Sequence, residues 1–325
     1  MKGCGRELYD RPRRPTRREF VQGVATAAVG LLAAGGAQSQ ESRPLPTIAL
    51  GTFRVTRFIA GCNPVLGNSH FNALTSALME EYYTDERVVQ FLLNCEKAGI
   101  NAWQTGAIPR TLRLMDMARD AGCKLHWIPV ADPWENSSSK YKISSEAAVL
   151  QTVQLLVKKK PIAIGHHGEL SDVLYRDGKL ERIRTFLNAV HDLGFLAGVS
   201  THNPAVIEAV EEKGWPADFY MACFYFRSRT TEEFVKEIGT EQVGETYLAS
   251  DPPRMCKVIR QVPKPCLGFK FLAAGRRCGT AKQVREAFEF AYHNIKPTDA
   301  VIAGMYNKFS DQLAEDVGLA RELCA

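Results

Sequence analysis

Residues 161–203 read PIAIGHHGELSDVLYRDGKLERIRTFLNAVHDLGFLAGVSTHN and contain a repeating unit of the fold. A short apolar run at 162–165 is followed by a segment with helical spacing at 178–193 and by a second short apolar run at 196–200. Short β-branched runs are typical of buried strands, and a 3.6-residue period is typical of helices. The stretch therefore predicts a strand, a helix and a second strand.

The same alternation continues toward both ends of the chain. The candidate strands are Arg57–Gly61, Ala102–Gln104, Leu125–Val130, Ile162–Gly165, Leu196–Ser200, Phe219–Cys223, Leu267–Phe271 and Ala300–Ala303. The candidate helices are Asp85–Ala98, Pro109–Ala121, Ser144–Lys158, Gly178–Leu193, Pro204–Glu212, Asp251–Gln261, Thr280–Ile295 and Ser310–Cys324, with a further helical piece at Thr231–Ile238. Eight such units predict an α/β fold, a single (β/α)8 TIM barrel, because an open sheet would need a reversal of strand order.

The N-terminus has the pattern of an export signal. Thr16-Arg17-Arg18-Glu19-Phe20-Val21 precedes a weakly apolar stretch that ends near Ala37 and is too short to span a membrane. Paired arginines before a poorly hydrophobic core predict a twin-arginine signal peptide over residues 1–37, a linker over 38–50 and the barrel over 51–325. We therefore expect a periplasmic or secreted protein whose partner in export is the twin-arginine translocation machinery, with no stable membrane insertion.

Charge and cysteine content narrow the functional classes. Residues 1–37 carry seven Lys and Arg against three acids, and so supply most of the net charge of +5. The remaining chain is nearly neutral, which argues against nucleic acid and favours a small-molecule substrate. Eight of the nine cysteines follow residue 37 without a C-x-x-C pair. We expect most of them to be buried packing residues, with disulfides as the alternative.

Histidine is concentrated where strands are predicted. Of the seven histidines only His191 and His293 lie on predicted helices. Function in such barrels is concentrated at the carboxyl ends of the strands, so the other five indicate a site. His166, His167 and Glu169 follow the fourth predicted strand, and His202 follows the fifth. Because side chains alternate along a strand, His166 and His167 cannot both face inward within it.

Two kinds of chemistry fit this set. His166, Glu169 and His202 form a candidate two-histidine, one-carboxylate site for a divalent metal. His166, His167, Glu169 and His202 are alternatively general acids and bases for proton transfer beside a carbonyl. The residues alone leave both interpretations open.

Further polar residues complete the candidate site. Lys270 lies in a predicted apolar strand, and three roles fit a lysine there. It is a candidate Schiff-base amine, a candidate fixed cation that stabilises an enolate, or one half of a buried ion pair. Gln104, at the end of the second predicted strand, is also a catalytic candidate. Arg276 and Lys308 lie near segments suited to the anionic part of a cofactor. The predicted substrate-binding residues are Asn63, His70, His126, Asn203, Tyr225 and Tyr306.

Three segments resemble the aldo-keto reductase superfamily: Val55-Thr-Arg-Phe-Ile-Ala-Gly-Cys-Asn-Pro64, Gly198-Val-Ser-Thr-His-Asn-Pro204, and Val301-Ile-Ala-Gly-Met305 with Asp311-Gln-Leu-Ala-Glu-Asp316. The resemblance implies a (β/α)8 barrel and NADP as the alternative cofactor. Reductases of this kind use an Asp and a Tyr after the second strand, a Lys after the third and a His after the fourth. Here Gln104 stands in place of the Asp, no Tyr or Lys matches, and only His166 or His167 corresponds.

Three functions follow from these observations. The first is an exported barrel enzyme that acts on a small carbohydrate or carbonyl substrate by metal-assisted or His/Glu acid-base chemistry, of lyase or isomerase type. The second is an NADP-dependent oxidoreductase exported with its cofactor bound. The third is a non-catalytic periplasmic binding barrel. The missing Tyr/Lys pair favours the first.

Overall fold

Eight parallel strands close into a barrel in the computed structural model, which describes residues 43–131 and 145–324. The barrel strands are β3 (Phe58–Gly61), β4 (Ala102–Gly106), β5 (His126–Ala131), β6 (Ala163–His166), β7 (Leu196–Thr201), β8 (Phe219–Cys223), β9 (Cys266–Phe269) and β10 (Ala300–Ala303). Each strand pairs with the next along the chain, and β10 closes the barrel on β3 through Val301 and Phe58. The eight-stranded barrel predicted from the sequence is confirmed.

Eleven α-helices surround or flank the strands in the described part of the chain. They are α1 (Ala73–Tyr82), α2 (Asp85–Lys97), α3 (Pro109–Asp120), α4 (Glu146–Val157), α5 (Gly168–Arg176), α6 (Glu181–Asp192), α7 (Pro204–Glu212), α8 (Thr231–Ile238), α9 (Asp251–Gln261), α10 (Ala281–Asn294) and α11 (Gln312–Leu323). Thr84 and Thr280 are N-cap residues: the Thr84 side chain accepts a hydrogen bond from the Arg87 amide, and the Thr280 side chain accepts one from the Gln283 amide. Helices α1 and α5 were not expected.

Side-chain alternation divides the core into two layers. The inner layer fills the barrel with residues such as Ile59, Ile128 and Phe219, whereas the outer layer packs the strands against the helices. In the interior, Phe219 occupies the space that a side chain at Gly198 would need, since an added Cβ there would lie 2.3 Å from the ring. Near the carboxyl ends, an added Cβ at Gly106 meets no atom of the described residues within 4 Å. The barrel interior is therefore filled at the level of Phe219, whereas space remains beside Gly106 near the carboxyl ends of the strands.

A hairpin closes the other end of the barrel. Strands β1 (Thr47–Leu50) and β2 (Phe53–Thr56) pair antiparallel, and β1 includes the last residues of the predicted linker. Their buried side chains join the inner layer, and Phe53 contacts His126 at the start of β5 with ring centroids 5.5 Å apart. This hairpin therefore covers the amino ends of the strands and leaves the carboxyl ends uncovered by it.

The predicted signal peptide, residues 1–37, lies outside the described residues, so its export function stays a prediction. Among the residues that the structure describes, no helix is long and apolar enough to cross a membrane. Seven of the eight cysteines after residue 37 are buried, as expected for packing residues, and only Cys278 is exposed.

Candidate functional site

Lys270 turns into the mouth of the barrel directly after β9. Its φ of 61° lies in the left-handed region, and its carbonyl accepts a hydrogen bond of 2.7 Å from the Ala273 amide. A left-handed conformation is strained for a residue with a side chain and is often found at functional positions. Three of the other four such residues, His70, Ala273 and Ala274, also lie on connections at the carboxyl end of the barrel.

The ammonium group of Lys270 is buried without a partner. No described residue is hydrogen-bonded to Nζ. Burial and, to a smaller extent, the like charge of Arg227 together lower the pKa of Lys270 to about 8, against opposing effects of Cys223, Glu245 and Cys62. The side chain therefore supplies an amine that is partly unprotonated near neutral pH.

His202 and Asp172 form a buried pair beside this lysine. His202 Nδ1 is 2.9 Å from Asp172 Oδ2, and the His202 amide donates to the same oxygen over 3.1 Å. The Thr201 hydroxyl donates to the other oxygen of Asp172. Burial lowers the pKa of His202, against the opposing effect of Asp172, and the positive charges of Arg227 and Lys270 act in the same direction as burial. His202 is thus a neutral imidazole whose Nδ1–H is held by a carboxylate, which is the arrangement of an oriented general base.

Glu245 joins His70 and Arg227 on the long connections. Glu245 Oε1 lies 2.8 Å from His70 Nδ1 and 2.6 Å from Arg227 Nη2, and Oε2 accepts from the Tyr247 hydroxyl over 3.2 Å. Burial alone would raise the pKa of Glu245, but the hydrogen bond from His70 and the positive charges nearby lower it to about 2. Burial lowers the pKa of His70 despite its carboxylate partner. Arg227 and Glu245 therefore form the ion pair, and His70 is a neutral hydrogen-bond donor to Glu245.

Arg276 braces the connections that carry these groups. Its Nη1 donates to the His70 carbonyl over 3.0 Å and its Nη2 to the Glu245 carbonyl over 3.2 Å, while the guanidinium lies 4.2 Å from the Tyr247 ring centroid. Tyr225 is buried and stacks edge-on against Tyr247, with centroids 5.0 Å apart. Arg276 and Tyr225 thus support the mouth rather than project free polar groups into it.

The predicted metal ligands are not brought together. His166 faces the helix layer, where Nδ1 is 2.7 Å from Ser171 Oγ and the ring contacts Phe186. His167 is the N-cap residue of α5, and Glu169 is exposed in its first turn. Within residues 43–131 and 145–324, no three His, Cys, Asp or Glu side chains are grouped to hold a metal ion. Alternation along β6 explains the result, because His166 follows the parity of Ile164 and points away from the interior.

Three other predicted residues lie near the carboxyl ends of strands. Gln104 has the parity of the inner-layer residue Ala102, and its side-chain amide donates to the Thr105 carbonyl over 2.9 Å. Asn63 starts a short 3-10 helix over 64–66. Asn203 caps α7 by accepting a hydrogen bond of 3.0 Å from the Ala205 amide. Of these, Gln104 is on the inward-facing side of the barrel wall.

Three predicted residues lie away from the mouth or are otherwise engaged. His126 begins β5 and packs on the hairpin, at the end of the barrel opposite Lys270 and His202. The Tyr306 hydroxyl donates to the Leu78 carbonyl over 2.8 Å. Lys308 Nζ lies 3.9 Å from Glu81 at the rim. The last two hold α1 and its flanking connection to the end of the barrel.

Sequence reasoning missed Asp172 and Glu245. Asp172 lies on α5, which precedes the helix that the sequence predicts from Gly178. Apolar residues at 170, 173 and 174 were a signal that could have indicated this extra helical turn. Glu245 lies in a connection without periodicity, and only the folded chain brings it to His70.

The residues at the mouth do not fit the reductase reaction that the resemblance implies. Arg276, proposed from the sequence to bind a cofactor, gives its Nη1 and Nη2 donors to backbone carbonyls. The side chain at position 104 is an amide, and the Tyr306 hydroxyl is bound to a carbonyl. Hydride transfer to a carbonyl needs an acid beside the oxygen, and this sequence has no Tyr and no Lys at the positions that the resemblance gives to that pair.

We expect Lys270→Met to stabilise the protein by about 2–3 kcal/mol at neutral pH, since each unit of pKa depression corresponds to about 1.4 kcal/mol. The folded pKa of Lys270, about 8, lies below its ordinary value of 10.5, so the unfolded chain binds more protons between these pH values. Stability of the unmodified protein should therefore rise from pH 8 to 10.5, and the advantage of the variant should shrink. Urea unfolding at pH 7 and pH 10 measures both effects, and equal stability of the two proteins at pH 7 would contradict the buried, unpaired ammonium.

Comparison with known proteins adds evidence about the fold. No protein-family model and no curated protein sequence matches this chain. Two solved structures from Pseudomonas aeruginosa that have been assigned to the aldo-keto reductases are similar to it. One superposes with a TM-score of 0.56 at 16% identity, covering 89% of this chain and 98% of its own. The other has a TM-score of 0.52 at 17% identity, covering 88% and 100%, respectively. At this identity the likeness concerns architecture alone: the chain folds as an aldo-keto-reductase-like (β/α)8 barrel.

Proposed function

We propose that this protein is a barrel enzyme of lyase or isomerase type that binds a small carbonyl substrate covalently through Lys270 and moves a proton with His202. The observation that carries the proposal is the buried Nζ of Lys270, which has no hydrogen-bond partner among the described residues and lies beside the His202–Asp172 pair. A buried amine without a counter-ion is costly to retain. Its position at the substrate end of the barrel supports a chemical role.

The amine can begin the reaction without a metal ion or nucleotide. In the unprotonated form, the Nζ lone pair attacks the carbonyl carbon and forms a carbon–nitrogen bond. The carbonyl oxygen takes up protons and leaves as water, which produces a protonated imine. Because burial and Arg227 lower the pKa of Lys270 to about 8, a useful fraction of the amine is free at neutral pH.

His202 supplies the proton-transfer step. Asp172 accepts from Nδ1, and no described residue is hydrogen-bonded to Nε2, which is therefore the nitrogen that can accept a proton. Nε2 removes a proton from the carbon next to the imine, or from a hydroxyl group whose neighbouring carbon–carbon bond then breaks, and the electron pair moves into the imine to give an enamine. Return of the proton and hydrolysis of the imine release the product and restore Lys270.

Borohydride trapping tests the covalent step. We expect short aldehydes or ketones, incubated with the protein and then reduced with sodium borohydride, to leave a stable adduct on Lys270, which peptide mass mapping identifies. Because the free amine increases up to its pKa of about 8, the initial trapping rate should rise with pH and level off above that value. Lys270→Met should yield no adduct at this position.

The control is Lys282→Met, which removes an exposed lysine on α10 and should leave trapping at Lys270 unchanged. A panel that includes two-, three- and four-carbon carbonyl compounds keeps the test independent of one substrate. Labelling spread evenly over surface lysines, with Lys270 unmodified, would overturn the proposed function.

A further inference from the structure

Arg227 has an unused donor next to Lys270. The Arg227 side chain is only 10% exposed, and its Nε is buried without a hydrogen-bond partner in the described part of the chain. The Nζ of Lys270 is in the same condition. The charge of Arg227 lowers the pKa of Lys270, which is the effect of a neighbouring like charge. Two cationic groups thus face this end of the barrel with unused N–H donors.

The carboxylates at the mouth are already engaged. Glu245 accepts from His70, Arg227 and Tyr247 through its two oxygens. The Asp172 carboxylate accepts hydrogen bonds from His202 Nδ1 and from the Thr201 hydroxyl. Among the described residues neither carboxylate is hydrogen-bonded to the Arg227 Nε or the Lys270 Nζ, and Glu245 acts on Lys270 only through its charge. The local positive charge is therefore only partly compensated.

The surrounding loops add to the positive charge. Arg276 and Arg277 follow β9 on the same connection as Lys270, and Arg277 opposes the effect of burial, which raises the pKa of Tyr225. Burial keeps His70 and His202 neutral. Among the described residues discussed above, the cationic side chains at this mouth are Arg227, Lys270, Arg276 and Arg277, and the carboxylates are Asp172 and Glu245. A buried positive field with unused donors is complementary to an anion.

We infer that the substrate of Lys270 carries an oxyanion, a carboxylate or a phosphate, which the Arg227 Nε–H receives while Lys270 captures the carbonyl. The inference rests on the proposed function and names its substrate class. Arg227 is then the specificity-determining residue: the anionic group offsets the excess charge and orients the carbonyl carbon toward Nζ. The planar guanidinium, fixed through Nη2 by Glu245, gives this contact a direction that a flexible ammonium would lack.

Matched pairs of carbonyl compounds test the inference by borohydride trapping at Lys270. The pairs are pyruvate with hydroxyacetone, and glyceraldehyde 3-phosphate with glyceraldehyde. We expect at least one anionic member to half-saturate trapping at a concentration on the order of tenfold below its neutral partner, which corresponds to one charge-assisted hydrogen bond. The first pair reports a carboxylate and the second a phosphate, so the preferred oxyanion is identified directly.

Two variants and one control localise the effect. In Arg227→Gln, the ratio of the half-saturating concentrations of the neutral and anionic partners should fall toward one, while neutral carbonyl compounds are still trapped. Arg227→Lys should keep only part of the anionic preference, because the ammonium lacks the guanidinium fork. Lys282→Gln, which removes an exposed positive charge, should leave the preference unchanged.

The possible failures are distinguishable. Trapping of neutral and anionic partners at equal concentrations by the unmodified protein, or an anionic preference that persists in Arg227→Gln, would overturn the inference and leave the proposed function standing. Absence of any adduct at Lys270 would overturn the proposed function itself.

Discussion

Asp172→Asn is expected to slow exchange of the proton next to the substrate carbonyl by about a hundredfold or more, the range that a positioned general base contributes. The carboxylate accepts from His202 Nδ1 and so leaves Nε2 free as the base. An asparagine can keep its oxygen on the Thr201 hydroxyl and the His202 amide while turning its NH2 group toward the imidazole. The ring then carries its proton on Nε2 and can no longer accept one.

Deuterium uptake from D2O into the carbon beside the carbonyl, followed by NMR, measures this step for any carbonyl compound that Lys270 traps. Asp177→Asn is the matched control, because Asp177 is exposed at the end of the same helix. Borohydride trapping should persist in Asp172→Asn, which separates proton transfer from imine formation. Unchanged exchange in a folded Asp172→Asn protein would remove His202 and Asp172 from the mechanism.

What could be predicted from the sequence depends on how far apart along the chain the interacting residues lie. The eight strands could be predicted because each buries a short apolar run, and Lys270 stands out because it interrupts one of these runs with a charge. His202 could be predicted from its place after a strand. Its partner Asp172 could not, because the pairing depends on the extra helix α5 folding back over the end of β7.

His126, His166 and His167 show what local rules can indicate about the position and direction of a side chain. His126 is the second residue of the predicted strand Leu125–Val130, so its position near the strand start already indicated the end opposite the site. His166 and His167 could be separated only by parity, and parity depends on where the strand begins relative to the inner layer. The structure fixes that register through Ala163, whose side chain belongs to the inner layer.

Glu245 illustrates a different limit. It comes from the connection between β8 and α9 and meets His70 from the connection after β3, 175 residues earlier in the chain. No spacing rule links two irregular segments at that separation. The structure gives the physical reason for such a contact: Arg227 and Arg229 of this connection are buried, and a buried guanidinium needs an acidic partner.

The most destabilising single substitution that we expect in this connection is Asp251→Ala, at about 3–5 kcal/mol, the usual cost of breaking a buried ion pair from one side. Asp251 is 1% exposed, and its carboxylate binds both terminal nitrogens of Arg229, whose side chain is 4% exposed. The same carboxylate accepts from the Phe226 amide over 3.2 Å. Removing it leaves the guanidinium of Arg229 buried with Glu237 as its remaining acidic partner.

Because Arg229 and Phe226 flank Arg227, this substitution should also weaken the preference for anionic carbonyl compounds while Lys270 still forms its adduct. Urea unfolding gives the stability change, and trapping with the matched pairs gives the preference. The control is Arg285→Ala, which breaks an exposed two-point pair with Glu322, held by two hydrogen bonds of 2.7 Å, and should shift the unfolding midpoint far less.

Combining Arg229→Met with Asp251→Ala should recover part of the lost stability, since the unpaired buried charge is then gone. If the double variant is instead less stable than Asp251→Ala, the buried guanidinium stabilises the connection through its backbone contact with the Phe226 carbonyl more than through the ion pair.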